Sequence, residues 1–145
     1  MTALNDERSI RAWYEAFNGD RMADFVGCFS STATFRQVNG VRIYEGRDKI
    51  RGYISSLDVF IEDASIDKIT VIAKPRLVSH RPSAVACYGV EYVLNGRYIR
   101  TLPGLEGRAN AHGDVVCVPA HELVWVDAQG KVLWADQAID LSALD

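Results

Sequence analysis

Residues 118–126, VPAHELVWV, and residues 131–141, KVLWADQAIDL, are two apolar β-type stretches joined by 127–130, DAQG. They leave His121, Glu122 and Asp136 inside segments that otherwise have the composition of a core. Ionisable groups among Val, Leu and Trp must be paired or must shift their pKa, because burial disfavours the charged form. A carboxylate pushed toward neutrality suits general acid/base chemistry, so the hairpin points to a pocket more than to a binding platform. With a four-residue loop, Asp127–Gly130, Val126 pairs with Lys131 and His121 falls opposite Asp136. Directly opposed side chains lie about 5 Å apart on one face. That face then carries His121, Leu123 and Trp125 with Val132, Trp134 and Asp136. With a three-residue loop Asp127 pairs with Lys131, and Glu122 opposes Asp136 instead. The His121–Asp136 register is the expected one, and a one-residue slip exchanges the faces.

Outward from the hairpin, the helix and strand periodicities divide the chain in two. Asn5 caps a first helix with Asp6 and Glu7 in its first turn, and Ile10, Trp13 and Phe17 form its apolar stripe. Asn18-Gly19-Asp20 interrupts it. Met22, Phe25, Val26 and Phe29 then recur at the spacing of a second amphipathic helix. Ala33–Val38 is a short strand turning at Asn39-Gly40 and returning through Val41–Tyr44. A third helix follows Gly46, with Asp48 near its start and Ile50, Tyr53, Ile54 and Leu57 on one side. From Ser65 the pattern is β: Ser65–Lys74 up to Pro75, then Ala84–Leu94 closed by Asn95-Gly96. Tyr98–Thr101 continues toward Pro103-Gly104, Leu105–Gly113 is irregular, and Asp114–Val126 and Lys131–Leu141 form the last hairpin. Pro119 cannot donate to a ladder and marks a bulge or an edge. Helices first and long antiparallel strands after them predict an α+β fold, helices packed on one face of a curved sheet.

The chain has 145 residues, 48% hydrophobic and 24% charged, with a net charge of −3. One domain, 1–145, is expected, with an ordinary globular core. The charge gives no footprint for nucleic acid or anionic membrane. No early apolar run with a basic flank suggests a signal peptide, and no apolar run approaches the ~18 residues of a membrane span. Cys28, Cys87 and Cys117 are odd in number and lack CxxC spacing, which argues against disulfides and zinc. A cytoplasmic location is expected, with no metal and no cofactor.

The run WYEAFNGDRMADFVGCFSSTATF, followed by YEGRDKIRGYI and a late GKVLWADQAIDL, resembles the SnoaL-like branch of the nuclear transport factor 2-like superfamily across nearly the whole chain. The resemblance implies a cone-shaped barrel in which three helices close a strongly bent, mostly antiparallel sheet around a deep apolar pocket. Relatives of that kind include polyketide cyclases, limonene epoxide hydrolases, ketosteroid isomerases and dehydratases, and members that only bind or dimerise. Fold alone therefore decides little about activity. Ketosteroid isomerases carry a basic aspartate just after the first strand, where ATFRQVNG offers Gln37 or Val38, neither of them a base. Limonene epoxide hydrolases use a Tyr and an Asn on that strand, where Phe35 and Gln37 stand. Their Arg-x-Asp matches Gly89-Val90-Glu91, and their water-activating aspartate matches Asp136 or Asp140 in WADQAID.

Three residues are the expected catalytic set. Asp136, assisted by His121, is to take a proton or activate water, and Glu91, kept neutral by burial, is to donate to a developing oxyanion. The alternative for Glu91 is a solvated outer face, with Tyr88, Val90 and Tyr92 facing the core. For Asp136 the alternative is a structural ion pair. Tyr14, Tyr44, Tyr53, Tyr88 and Tyr92 are candidate hydroxyl donors. The expected substrate-binding residues are Tyr14, Tyr53, Phe35, Gln37, Trp134 and Trp125. His80 and His112 fall in loops. The expected function is a cofactor-independent cyclase or isomerase for a small hydrophobic polyketide-, terpenoid- or steroid-like substrate. An epoxide hydrolase and a non-catalytic binding or dimerisation module are the alternatives. A homodimer is the expected assembly.

Overall fold

A computed structural model of the chain describes residues 3–19, 22–39, 42–98 and 115–140. Helix α1, Glu7–Glu15, is capped by Asp6 and not by Asn5. The Asp6 carboxylate accepts from the Ser9 amide at 2.7 Å, and the Ser9 hydroxyl accepts from the Asp6 amide at 3.1 Å, a reciprocal cap, while Asn5 only donates its backbone amide to that hydroxyl at 3.0 Å. Ile10, Trp13 and Tyr14 form its buried face. A 3₁₀ turn, Ala16–Asn18, follows, then α2, Met22–Gly27. Phe29 opens a strand instead of ending that helix. It pairs with Val132, whose amide reaches the Cys28 carbonyl at 2.8 Å, so a tertiary ladder overrides helical spacing.

The remaining elements are β1, Phe29–Gln37; β2, Arg42–Glu45; α3, Arg47–Phe60; β3, Ile61–Ala73; β4, Ala84–Tyr98; β5, Val115–Asp127; and β6, Val132–Ile139. Another 3₁₀ turn, Pro75–His80, joins β3 to β4. The strands lie in the order β2-β1-β6-β5-β4-β3, and among the described residues only the β1–β6 pair is parallel. The sheet is therefore open at β2 and β3 and wraps as a curved cone. Helices α1 and α3 pack on the sheet's inner face. Ile10, Trp13, Phe25, Phe29, Ile50, Ile54, Val90, Val124 and Val132 fill the space between. The expected turn at Asn39-Gly40, the stretch after Tyr98, the irregular Leu105–Gly113 and the end at Leu141 fall wholly or partly outside the described residues.

Two strand features depart from the turn signals. Asn95-Gly96 does not end β4, which runs through it opposite Cys117 and Val116. Gly96 has φ +153°, and a Cβ there would meet Ile61 Cγ2 at 2.3 Å and the Glu62 carbonyl at 2.8 Å. The glycine answers a close approach and not a turn. Pro119 sits in β5 opposite Val93, where β6 has run out at Ile139. Its carbonyl accepts from the Asp140 amide at 2.9 Å, and its missing N–H faces the side on which the ladder ends.

The hairpin register differs from both alternatives. At the turn Asp127 faces Lys131, their backbones bonded at 2.8 Å, and Asp127 Oδ1 accepts from the Gln129 and Lys131 amides at 3.0 Å. This is the three-residue loop. An irregularity at Leu133 then shifts the pairing once more, so Trp125 faces Trp134, Leu123 faces Asp136, Glu122 faces Gln137 and His121 faces Ala138. The expected His121–Asp136 pairing is corrected by this bulge.

Candidate active site

Strand alternation follows from the register. Glu122, Val124 and Val126 on β5 point inward with Ala135 and Gln137 on β6. His121, Leu123 and Trp125 point outward with Trp134, Asp136 and Ala138. The carboxylate inside the cone is thus Glu122, which retains 7% exposure.

Three groups hold Glu122. Tyr14 on α1 donates to Oε1 at 2.6 Å. Tyr92 on β4 donates to Oε2 at 2.5 Å. The Gln137 amide nitrogen reaches Oε2 at 3.2 Å and the Tyr92 hydroxyl at 2.7 Å. The chain of bonds continues away from the carboxylate. Gln137 Oε1 accepts from Gln37 Nε2 at 3.0 Å, and that nitrogen also donates to the Tyr53 hydroxyl on α3 at 2.8 Å.

Burial pushes the Glu122 carboxyl above the ordinary glutamate range, and the bonds from Tyr14, Tyr92 and Gln137 partly offset the rise. Burial first, and the Glu122 charge second, push Tyr14 and Tyr92 well above the usual phenol range, so both remain O–H donors. The carboxyl opens on a cavity of about 60 Å³ walled by aromatic and aliphatic side chains, among them Tyr14, Phe25, Phe35, Tyr53, Tyr92 and Ile139. Charge placed there is far from water, where preorganised donors act most strongly.

The other face carries a different cluster. Asp136 takes a two-point contact from Arg36, Nε at 2.9 Å and Nη2 at 2.8 Å, and a bond from Trp134 Nε1 at 2.7 Å. Arg81 approaches the same carboxylate at 3.5 Å. Its guanidinium lies 3.7 Å from the centre of the Trp134 ring and 5.0 Å from that of Trp125. Trp125 Nε1 donates to the Leu77 carbonyl at 2.8 Å, tying the Pro75–His80 turn to the sheet. Glu91 and His121 are exposed and face each other across β4 and β5. With Arg36, Lys74 and Asp136 they line an open groove of about 500 Å³.

The expected trio Asp136, His121 and Glu91 is therefore brought together, but on the outer face. Its expected position in the hollow is corrected. For Glu91 the reason is plain alternation, since Tyr88, Val90 and Tyr92 on the same strand are buried. For His121 it is the β4 register, which pairs it with outward Glu91, and for Asp136 it is the bulge at Leu133, without which it would oppose inward Glu122. Of the expected binding residues, Tyr14, Tyr53 and Phe35 line the cavity, and Gln37 joins it through Tyr53 and Gln137. Trp134 and Trp125 lie outside it. Glu122 and Gln137 lie outside the expected set, although the three-residue-loop register brings Glu122 into play opposite Asp136. Among the described residues no three His, Cys, Asp or Glu side chains converge as a metal-holding group, and no helix is long and apolar enough to cross a membrane.

Residues 10–134 match the family model of the SnoaL-like domain. No curated protein matches the chain in sequence. Among solved structures, a candidate polyketide cyclase from Silicibacter sp. superposes with a TM-score of 0.74 at 19% identity, covering 98% of this chain and 94% of that one. A protein with a ketosteroid isomerase-like fold from Catenulispora acidiphila gives 0.64 at 19% identity, covering 93% and 87%. The epoxide hydrolase/cyclase-like enzyme SalBIII, with a role in pyran ring formation in the polyether salinomycin, gives 0.68 at 16% identity, covering 92% and 89%. At these identities the likeness is one of fold.

Proposed function

The chain belongs to the SnoaL-like domain family, and on that footing we propose that it is a cofactor-independent general acid/base enzyme of cyclase or isomerase type. Its single domain, 1–145, acts on a small apolar polyketide-, terpenoid- or steroid-like substrate inside the cone. One observation carries this reading: a buried carboxylate, Glu122, held by two tyrosine hydroxyls against an apolar cavity. Ionised Glu122 takes a proton from a carbon next to a substrate carbonyl. The electron pair moves to the carbonyl oxygen, and Tyr14 or Tyr92, released as the carboxylate is neutralised, donates to the oxyanion. Return of the proton to another carbon isomerises the substrate, and attack of the carbanion on a second carbonyl cyclises it. A substrate of this class exceeds about 60 Å³, so the aromatic walls must swing aside as it enters. Asp136, His121 and Glu91 stay outside the chemistry in this proposal.

Solvent-deuterium exchange next to the carbonyl of small cyclic ketones, followed by NMR, tests it. Glu122→Gln is expected to slow exchange by ~10²–10⁴-fold, and equal rates in both proteins would sink the reading. In the epoxide-hydrolase alternative the same carboxylate activates a water, and opening of cyclic epoxides without ketone exchange would select it. The non-catalytic binding module is favoured by the small, aromatic-filled interior and by the engagement of Asp136 in ion pairs. It predicts no exchange at all. The outer face supports the homodimer. It exposes Val38 and Ile72 beside the opposite charges of Lys74 and Glu91, a pattern that matches its own copy under two-fold symmetry.

A further inference from the structure

The hydrogen-bond chain that begins at Glu122 has a fixed polarity. A carboxylate only accepts, so Gln137 must turn its amide nitrogen toward Glu122 and Tyr92, and its oxygen toward Gln37. Gln37 must then turn its own nitrogen inward, and its two hydrogens are consumed by Gln137 Oε1 and the Tyr53 oxygen. Two capacities are left over at the far end. Gln37 Oε1 is buried with no hydrogen-bond partner among the described residues, in a side chain 5% exposed. The Tyr53 hydroxyl hydrogen has no acceptor among the described residues, and burial pushes that phenol upward, so the hydrogen is retained. Buried polar atoms are rarely left unpaired, and an orphan inside a polar network asks for a function.

The two leftovers are close enough for one atom to use both. Tyr53 Oη lies 2.8 Å from Gln37 Nε2, and amide bond lengths put Nε2 about 2.2 Å from Oε1. The two oxygens are thus at most about 5 Å apart, within reach of a single hydroxyl making bonds of about 2.7 Å to each. A hydroxyl both accepts and donates, which matches one free hydrogen beside one free acceptor. An ether, a ketone or a methyl group matches at most one of them.

We infer that Gln37 and Tyr53 form a hydroxyl-binding subsite at the Tyr53 wall of the cavity, with Gln37 behind that wall and reached as the walls swing aside to admit substrate, and that the substrate is an apolar molecule carrying an alcohol or phenol group there. This rests on the reading of the cavity as a substrate site. It adds a second anchor: the hydroxyl is gripped at one end while the acidic carbon lies by Glu122, which fixes the carbon that loses its proton.

Phenol and benzene, titrated separately and followed by protein NMR shifts, test the subsite without turnover. Wild type is expected to bind phenol about tenfold more tightly, the size of one to two net hydrogen bonds. Gln37→Met and Tyr53→Phe should each bring the ratio within about threefold of unity while benzene affinity holds, and Asp136→Asn, on the outer face, should keep the preference. The subsite is overturned if wild type shows no preference or if both subsite variants retain it. Failure to bind either probe also overturns it. Ketone exchange by wild type and Glu122→Gln reports the acid/base reading separately, so the two can fail independently.

Discussion

Tyr14 and Glu122 stand 108 residues apart in sequence and 2.6 Å apart in space, a hydrogen bond that ties the first helix to the fifth strand inside the core. The phenol stabilises the ionised form of the carboxyl, because it can only donate to it at ordinary pH. Tyr14→Phe removes that donor and should raise the Glu122 pKa further. The acidic limb of the ketone-exchange pH profile, where Glu122 gains its proton, is expected to move up by about one unit, with ~1–2 kcal/mol lost from unfolding stability. A profile that keeps its midpoint while stability falls would make Tyr14 structural only.

Burial gives Glu122 a second, opposite-looking signature. Its folded pKa lies above the unfolded value of 4.5, so the folded state holds the proton more tightly. The stabilisation from this group is complete below pH 4.5 and is lost as pH rises through the folded pKa. Wild type minus Glu122→Gln should therefore show a stability difference that turns against wild type as pH climbs from 4 toward neutrality. Urea unfolding at steps of pH measures it. Parallel curves for the two proteins would mean the carboxyl is not raised.

The hairpin shows where legibility ended. Period-two alternation groups His121, Leu123, Trp125, Trp134 and Asp136 on one face, but Val132, expected with them, pairs with inward Val126 and is fully buried. Tyr14 of α1, Tyr53 of α3 and Phe35 of β1 line the cavity. Which face of the hairpin met the helices depended on the surroundings. Trp125 and Trp134, large and apolar, suggested the core. The structure instead buries Trp125 under the Pro75–His80 turn and packs Arg81 against both rings. No local signal in Val132-Leu133-Trp134 announces the bulge that sets the final register. Once Tyr92 is known to be inward, cross-strand register through Val90↔Glu122 and Tyr92↔Ala120 carries Glu122 inward with it. That inference needs two strands and is unavailable from either alone. Phe29 was lost to the helix for the same reason, since a parallel partner more than a hundred residues away decides its conformation.

Asp136 provides the control for the chemistry. Its carboxylate joins Arg36, Arg81 and Trp134, and Asp136→Asn leaves two guanidinium groups without their counter-charge and with one acceptor oxygen in place of two. The expected cost is ~1–3 kcal/mol, because Asp136 is largely shielded while Arg36 remains wetted. Ketone exchange in the variant should stay within about threefold of wild type. An exchange rate that falls as steeply as in Glu122→Gln would return Asp136 to the mechanism.

Gly96 tests the fold at a point where sequence suggested a turn. An added methyl at φ +153° meets Ile61 Cγ2 and the Glu62 carbonyl, a side chain and a backbone atom of the neighbouring strand. The backbone oxygen cannot rotate away, so β3 must shift at its first residues. Gly96→Ala should lose ~1–3 kcal/mol in denaturant unfolding. A loss below ~0.5 kcal/mol would place Gly96 in a looser strand than the one described.

The outer face supplies the last test. Ile72 is 51% exposed on β3, in the groove that also holds Lys74 and Glu91. Leaving the exposed half of such a side chain in water forfeits about half of the ~1.5–3 kcal/mol of full burial, roughly 1 kcal/mol per residue and twice that for a symmetric pair. Ile72→Glu instead sets two carboxylates into that contact, beside Glu91 in each chain. Sedimentation velocity at micromolar concentration should find wild type as a dimer and the variant as a folded monomer with unchanged far-ultraviolet circular dichroism. Because Glu122 and its tyrosines lie on the opposite side of the sheet, the monomer should retain ketone exchange. A wild type that sediments as a monomer would end the homodimer proposal, and an inactive folded monomer would mean that the outer face supports the cavity through the sheet.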